Sequence, residues 1–167
     1  MRLVKLFTFI LICLFVSSTG LFAKDLNGRV GLGFNSQLSP NGINSASLKI
    51  WTTSDICLQP ILGFQFSDDV NEIDVGGKLL YKIKDEKNTN VYTGGGIGVA
   101  IVDPDPGDSE TAFSIGGILG VEYFFSGLPN LGFSSEIEFV VSDYLENTIV
   151  GIEADTFLTA GIHYYFE

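Results

Sequence analysis

The chain has 167 residues, of which 46% are hydrophobic and 17% are charged, and its formal net charge is −11. Nucleic acids are bound by basic surfaces, so this acidity excludes DNA and RNA as predicted partners. The two cysteines, Cys13 and Cys57, are too few for a zinc site built on thiolates. The length is enough for one domain.

Residues 1–23 have the pattern of a secretory signal peptide. Two basic residues precede an apolar run from Leu6 to Val16, and small residues then lead to Ala23. A membrane-spanning helix needs about 20 apolar residues, so this run is short for an anchor. We predict a signal peptide at 1–23, with Gly20 as the alternative cleavage position, and one domain at 24–167.

The next residues alternate between apolar and polar or small types, which predicts β-strands with unlike faces. The first three predicted strands are Gly28 to Asn35, Ala46 to Trp51, and Ile56 to Phe66. Pro60 cannot donate a hydrogen bond to a strand ladder. We therefore expect Pro60 near a strand end or a bulge.

A hairpin is predicted from Ile73 to Ile83 and from Val91 to Ile101. Pairing Ile83 with Val91 keeps the apolar residues of both arms on one face. In the same register Tyr81 faces Thr93. The agreement of the two arms supports this register.

A second hairpin has arms from Thr111 to Phe125 and from Leu131 to Val141, folded about a short loop that contains glycine and proline. The alternation predicts that Phe125 pairs with Leu131 and that Tyr123 pairs with Phe133. A long connection from Ser142 to Asp155 and a last strand from Thr156 to Phe166 complete the chain.

Eight strands without helical spacing predict an all-β fold, an eight-stranded antiparallel up-and-down β-barrel. Loops that are long and polar at one end and short at the other are typical of a transmembrane barrel. The face opposite the apolar one is rich in glycine and carries charge. We predict that it points inward and forms a structural network of Arg29, Lys49, Lys78, Glu122, Glu136 and Glu138.

Two stretches and the end of the chain have a pattern that is typical of a known protein family. GVEYFF and LGFSSEIEF flank the short loop of the second hairpin, and the last strand ends in Tyr164, Tyr165 and Phe166. This pattern resembles the small outer-membrane β-barrel family, the eight-stranded OmpA-like and OmpX-like proteins. Glu167 follows the final aromatic residue, which departs from the family pattern.

The resemblance implies a place in the outer membrane of a diderm bacterium, reached by export with the signal peptide. It also implies that outer-membrane lipid surrounds the barrel. Recognition of the C-terminal strand by the barrel-assembly machinery follows from the same likeness. Aromatic residues near both ends of the strands agree with two interfacial girdles.

The residues that could carry chemistry are few. His163 is the one histidine, is predicted to face the interior, and has no serine beside it in sequence. Glu136 and Glu138 are interpreted as acceptors for interior cations. Acidic loop residues are interpreted as a solvated rim, with divalent-cation binding as the alternative. We predict no catalytic site, no cofactor and no resident metal.

The leading hypothesis is an outer-membrane β-barrel with a structural role or a role in interaction through its loops. The sequence does not specify the extracellular loop partner. One alternative is a narrow pore or small-solute transporter, which needs a continuous wet path. The other is a secreted soluble barrel that binds a hydrophobic ligand.

Overall fold

A computed structural model describes residues 25–35, 45–67, 70–104, 107–144, 147–153 and 159–166, so the predicted signal peptide lies outside the described residues. The described part is all β. No helix in it is long and apolar enough to cross a membrane. The strand segments are β1 (Val30–Asn35), β2 (Ser45–Trp51), β3 (Ile56–Phe66), β4 (Val70–Glu86), β5 (Thr89–Pro104), β6 (Glu110–Phe125), β7 (Leu128–Tyr144), β8 (Asn147–Glu153) and β9 (Thr159–Phe166).

The strands form one closed antiparallel barrel. Each strand from β1 to β7 pairs with its neighbour in the chain, and β9 pairs with both β1 and β7, which closes the ring. β8 and β9 pair with successive parts of β7, so together they fill the eighth position. The predicted eight-stranded up-and-down barrel is confirmed.

The two faces of the wall have opposite chemistry. Along β6 the burial of side chains alternates for most of the strand length, as the period of two requires. Large apolar side chains point outward on β1 to β7 and on β9, and the exposed fraction reaches 68% for Phe66. The buried positions include charged side chains such as Lys49 and Glu122. The predicted outward direction of the apolar face is therefore confirmed.

Most of the predicted hairpin register is confirmed. Tyr81 pairs with Thr93, and Tyr123 pairs with Phe133. The pairing of Ile83 with Val91 is wrong, because the register shifts between Lys82 and Lys84 and Lys84 takes the place opposite Val91. A bulge inserts one unpaired residue into a strand, and period-two patterns do not reveal it.

The second hairpin is corrected in the same way. Phe125 pairs with Leu128 instead of the predicted Leu131, because the register shifts between Phe124 and Phe125. The turn consists of Ser126 and Gly127 alone. β7 therefore begins at Leu128, earlier than the sequence pattern predicts.

Pro60 lies in the middle of β3, so its predicted place near an end or a bulge is wrong. It pairs with Gly77 on β4. On the β2 side, Ser47 pairs with Ile61 and the next registered pair is Ile50 with Leu58. The ladder between β2 and β3 is therefore interrupted where proline has no donor.

The predicted connection from Ser142 to Asp155 is also wrong in part. β7 continues to Tyr144, and β8 pairs back along it, so that Val141 faces Val150. The sequence of β8, NTIVGIE, is rich in β-branched residues. Pairing satisfies the backbone groups of β7 beyond the point where β9 ends. Of the predicted last strand, residues 156–158 lie outside the described residues.

An apolar floor fills the barrel at its short-turn end. Gly28, with a φ of 73°, turns the chain so that the backbone N–H of Arg29 donates to the carbonyl of Leu26 over 2.9 Å. The first strand therefore begins at Val30 instead of the predicted Gly28. Leu26 is fully buried, and the buried residues of this floor are Leu26, Trp51, Cys57, Leu80, Tyr92, Ile118, Phe124 and Tyr165.

Two successive glycines on β5 face opposite sides of the wall. A Cβ atom added at Gly94 would lie 2.2 Å from the carbonyl oxygen of Leu79, a main-chain atom that cannot move alone. A Cβ atom at Gly95 would meet its nearest atom, the carbonyl oxygen of Gly116, at 3.4 Å. Only the inward position therefore requires glycine.

We expect Gly94→Ala to lower the free energy of unfolding by about 1–3 kcal/mol, as overpacking usually does. The matched variant Gly95→Ala should stay within about 0.5 kcal/mol of the parent. Urea unfolding of the refolded barrel in lipid vesicles measures both. Equal stability of the two variants would contradict the close approach of β5 to β4.

Candidate functional site in the barrel interior

One buried ion pair crosses the interior near the floor. Lys49 on β2 lies 3.0 Å from Glu122 on β6, and both side chains are fully buried. The hydroxyl of Tyr165 donates to the two carboxylate oxygens of Glu122 over 2.9 and 3.1 Å. The Lys49 ammonium also lies 5.0 Å from the ring centre of Tyr92. Both charges of the pair thus have further polar or aromatic contacts.

A second ion cluster lies next to this pair, and Tyr92 contacts both of them. The Lys78 ammonium on β4 lies 2.7 Å from Glu136 and also pairs with Glu138. The hydroxyl of Tyr92 donates to Glu136 over 2.6 Å, and the amide of Asn35 lies 3.4 Å from the same carboxylate. The two glutamates are two apart on β7, so both point inward and share one cation.

Arg29 completes the set of charged residues that the sequence singled out. It precedes β1, is partly buried, and donates to the side-chain oxygen of Asn130 on β7 over 3.2 Å. Of the other five, the structure brings Lys49 to Glu122 and Lys78 to the glutamates of β7. All six residues therefore have interior or rim contacts that join strands distant in sequence.

The structure brings His163 to a serine that the sequence did not indicate. The Ser47 hydroxyl lies 2.6 Å from Nε2 of His163, and the Gln59 amide donates to the same hydroxyl over 3.4 Å. Gly33 on β1 pairs with Ser47 on one side and with His163 on the other. Because glycine has no side chain, the two residues meet above it.

The same arrangement recurs at two other places. Gly31 pairs with both Lys49 and Tyr165, and Gly120 pairs with both Tyr92 and Glu136. A Cβ atom at Gly120 would lie 2.5 Å from the ring of Tyr92. Interior glycines therefore leave space for the polar side chains of the two strands that flank them.

Ser47 and His163 have the residue types of a nucleophile and its base. Both are buried, however, with at most 3% of either residue exposed. Nδ1 of His163 has no hydrogen-bond partner among the described residues, so no third group there orients the ring. Within the same residues, no group of three or more histidine, cysteine, aspartate or glutamate side chains could hold a metal ion.

Comparisons with known proteins agree on the fold. No protein-family model matches the chain, and no curated protein matches it in sequence. The N-terminal β-barrel domain of Pseudomonas aeruginosa OprF is similar in structure, with a TM-score of 0.59, 15% identity, and coverage of 84% of this chain and 98% of that one. Neisserial surface protein A, NspA, has a TM-score of 0.50, 16% identity, and coverage of 83% and 95%. The chain has the fold of the eight-stranded outer-membrane β-barrels.

We expect Lys49→Met to lower the free energy of unfolding by about 3–5 kcal/mol, because it leaves the Glu122 carboxylate buried without its cation. The double variant Lys49→Met with Glu122→Gln should recover much of the loss, since glutamine can still accept the Tyr165 hydrogen bond. Urea titration in lipid vesicles reports both values.

The matched control is Lys84→Met. Lys84 lies 2.6 Å from Glu86, but 66% and 54% of the two side chains are exposed. An exposed pair contributes little to stability, so this variant should unfold like the parent. A Lys49→Met barrel as stable as the control would show that the interior pair does not hold the strands together.

Proposed function

We propose that the chain is an outer-membrane β-barrel protein with a structural role or a role in interaction through its long loops, and that it is not an enzyme. The observation that carries the proposal is that polarity is distributed in the opposite way to a water-soluble protein, with apolar side chains outside and charged ones inside. Leu32, Ile97 and Phe139 are among the large apolar side chains that are at least half exposed, while Lys49 and Glu122 are buried. Such a wall is stable when lipid chains surround it.

The same distribution argues against a secreted barrel that binds a hydrophobic ligand. A pocket for such a ligand is lined mainly by apolar side chains. The interior between the strands instead holds ion pairs and polar groups, among them Gln59 and His163, which are fully buried. The apolar surface is on the outside, where water would have to cover it.

The floor argues against a narrow pore. Conduction needs a continuous path for water and ions from one end to the other. At the short-turn end, Leu26, Trp51, Tyr92 and Tyr165 are no more than 1% exposed. The Trp51 indole and the Tyr165 hydroxyl lie 3.4 Å apart, so these two side chains are in contact within the floor.

The proposal includes export and assembly. Residues 1–23 would direct the chain out of the cytoplasm and be removed. β9 closes the barrel against β1 and presents Tyr164 and Phe166 on its outer face, with 48% and 50% exposed. We propose this strand as the part that the barrel-assembly machinery recognises.

Acidity at the long-loop end favours one kind of loop partner. In the sequence, the long connections contain no lysine or arginine, and those after β5 and β7 contain aspartate or glutamate. Asp103, Asp108 and Asp143 are exposed at this end. Complementary charge increases association rates and disfavours partners of like charge. A loop partner should therefore present basic side chains.

Expression with the signal peptide, followed by separation of the membranes, tests the location. We expect the protein in the outer-membrane fraction, and we expect its mobility on a gel to change when the sample is boiled, because a closed barrel resists detergent until heated. Recovery as a soluble periplasmic protein without a heat-dependent shift would contradict the proposal and support the soluble ligand-binding barrel.

Planar bilayers distinguish the structural role from the pore. We expect the purified barrel to insert without unitary conductance steps, because the apolar floor leaves no wet path. Replacement of Leu26 by glycine removes one floor residue and serves as the comparison. Regular steps from the parent protein would favour the small-solute transporter.

A further inference from the structure

An apolar groove runs across the outer surface of β3, β4, β5 and β6. Its volume is about 620 Å³. The bottom of the groove contains Gly77 and Gly95. A Cβ atom added at Gly77 would meet no atom closer than 4.0 Å, and one added at Gly95 would meet none closer than 3.4 Å. The groove walls are the outward side chains of Leu58, Leu79, Ile97 and Ile115.

The register explains why the recess forms here. In one row across the wall, Gly77 pairs with Ile97, and Ile97 pairs with Ile115. In the next row, Leu79 pairs with Gly95. Each glycine therefore lies beside a large branched side chain of the adjacent strand. Because glycine has no side chain, the backbone between these large side chains lies at the bottom of a groove.

The groove has the size and the lining of a binding site. Small-molecule sites occupy about 300–1,000 Å³ and are lined mainly by apolar groups. Of the lining residues, Gln59 and Lys78 have side chains that are buried in the interior, so they contribute main chain to the groove. The groove therefore offers contacts to hydrocarbon and no charged group.

We propose that this groove binds one acyl chain of a membrane lipid. The inference rests on the proposed function, which places the outer wall in the bilayer. The groove opens directly onto the exposed apolar side chains around it, so the lipid that contacts the wall also reaches the groove. Association within a bilayer depends on close packing, and a linear chain fills a narrow recess better than bulk lipid passing over it.

A second barrel fits the groove less well. Two barrel walls are convex, so their contact is made by protruding side chains, and a recess between Leu79 and Ile97 would remain unfilled. A flexible hydrocarbon chain follows the recess from Gly77 to Gly95. The expected occupant is therefore lipid instead of another copy of the chain.

Photolabelling tests the site. The heat-modifiable barrel is reconstituted into phosphatidylcholine vesicles that contain a phosphatidylcholine with a diazirine midway along one acyl chain. After irradiation and digestion, peptides of β3 to β6 should carry several-fold more label than peptides of β1 and β9. The double variant Gly77→Leu with Gly95→Leu fills the groove and should lose this excess.

The matched control is Ala160→Leu, which adds a leucine to the outer face of β9 and should keep the excess label on β3 to β6. If the double variant does not show the heat-dependent shift, Gly77→Leu alone replaces it, because its position is the more open of the two. Loss of the excess in the filled variant, with retention in the control, supports the acyl-chain site.

Other outcomes contradict either the acyl-chain site or the proposed function on which it rests. Label spread evenly around an inserted barrel would show that the groove binds no chain. Migration of the unboiled parent as a dimer, and of the unboiled Gly77→Leu with Gly95→Leu variant as a monomer, would show that a second copy occupies it. No label on any strand would show that the chain does not enter the bilayer, which is a failure of the proposed function and not of the groove alone.

Discussion

The limited space inside an eight-stranded barrel is the constraint on which the rest of this structure depends. A barrel of this size has an interior just wide enough for side chains to fill it. The chain meets the limit by placing glycine between two inward polar residues that pair with it from the strands on either side. Three such rows hold the polar contacts, namely Ser47, Gly33 and His163; Lys49, Gly31 and Tyr165; and Tyr92, Gly120 and Glu136.

The interior glycines make room for buried charged residues, and this links the charged interior to the apolar exterior. Burial of Lys49 and Glu122 costs desolvation, and their mutual attraction offsets it only with close geometry and added hydrogen bonds. The glycines permit that geometry, because they leave room for side chains that reach across the barrel from β2 and from β6. With the polar residues placed inside, the large apolar residues remain for the outer face.

Much of the wall could be predicted from local pattern, and little of the interior could. Alternation fixed which residues of each hairpin face outward, because a period of two is a local property. The bulges at Ile83 and beside Phe125 do not change this alternation, so the register predicted near both turns was wrong. The contact of Ser47 with His163 depends on how β9 closes against β1, and residues far apart in sequence carry no pattern for that step.

Cys57 gives the floor a chemical property of its own. It is a free thiol, fully buried, and the one cysteine among the described residues. A thiol reacts with a polar reagent only when it reaches solvent, so its modification rate follows the fraction of time for which the end of the barrel is open. Cys57 is thus an intrinsic reporter of local opening. Its modification rate distinguishes a floor that opens transiently from one that stays closed, and no label has to be added.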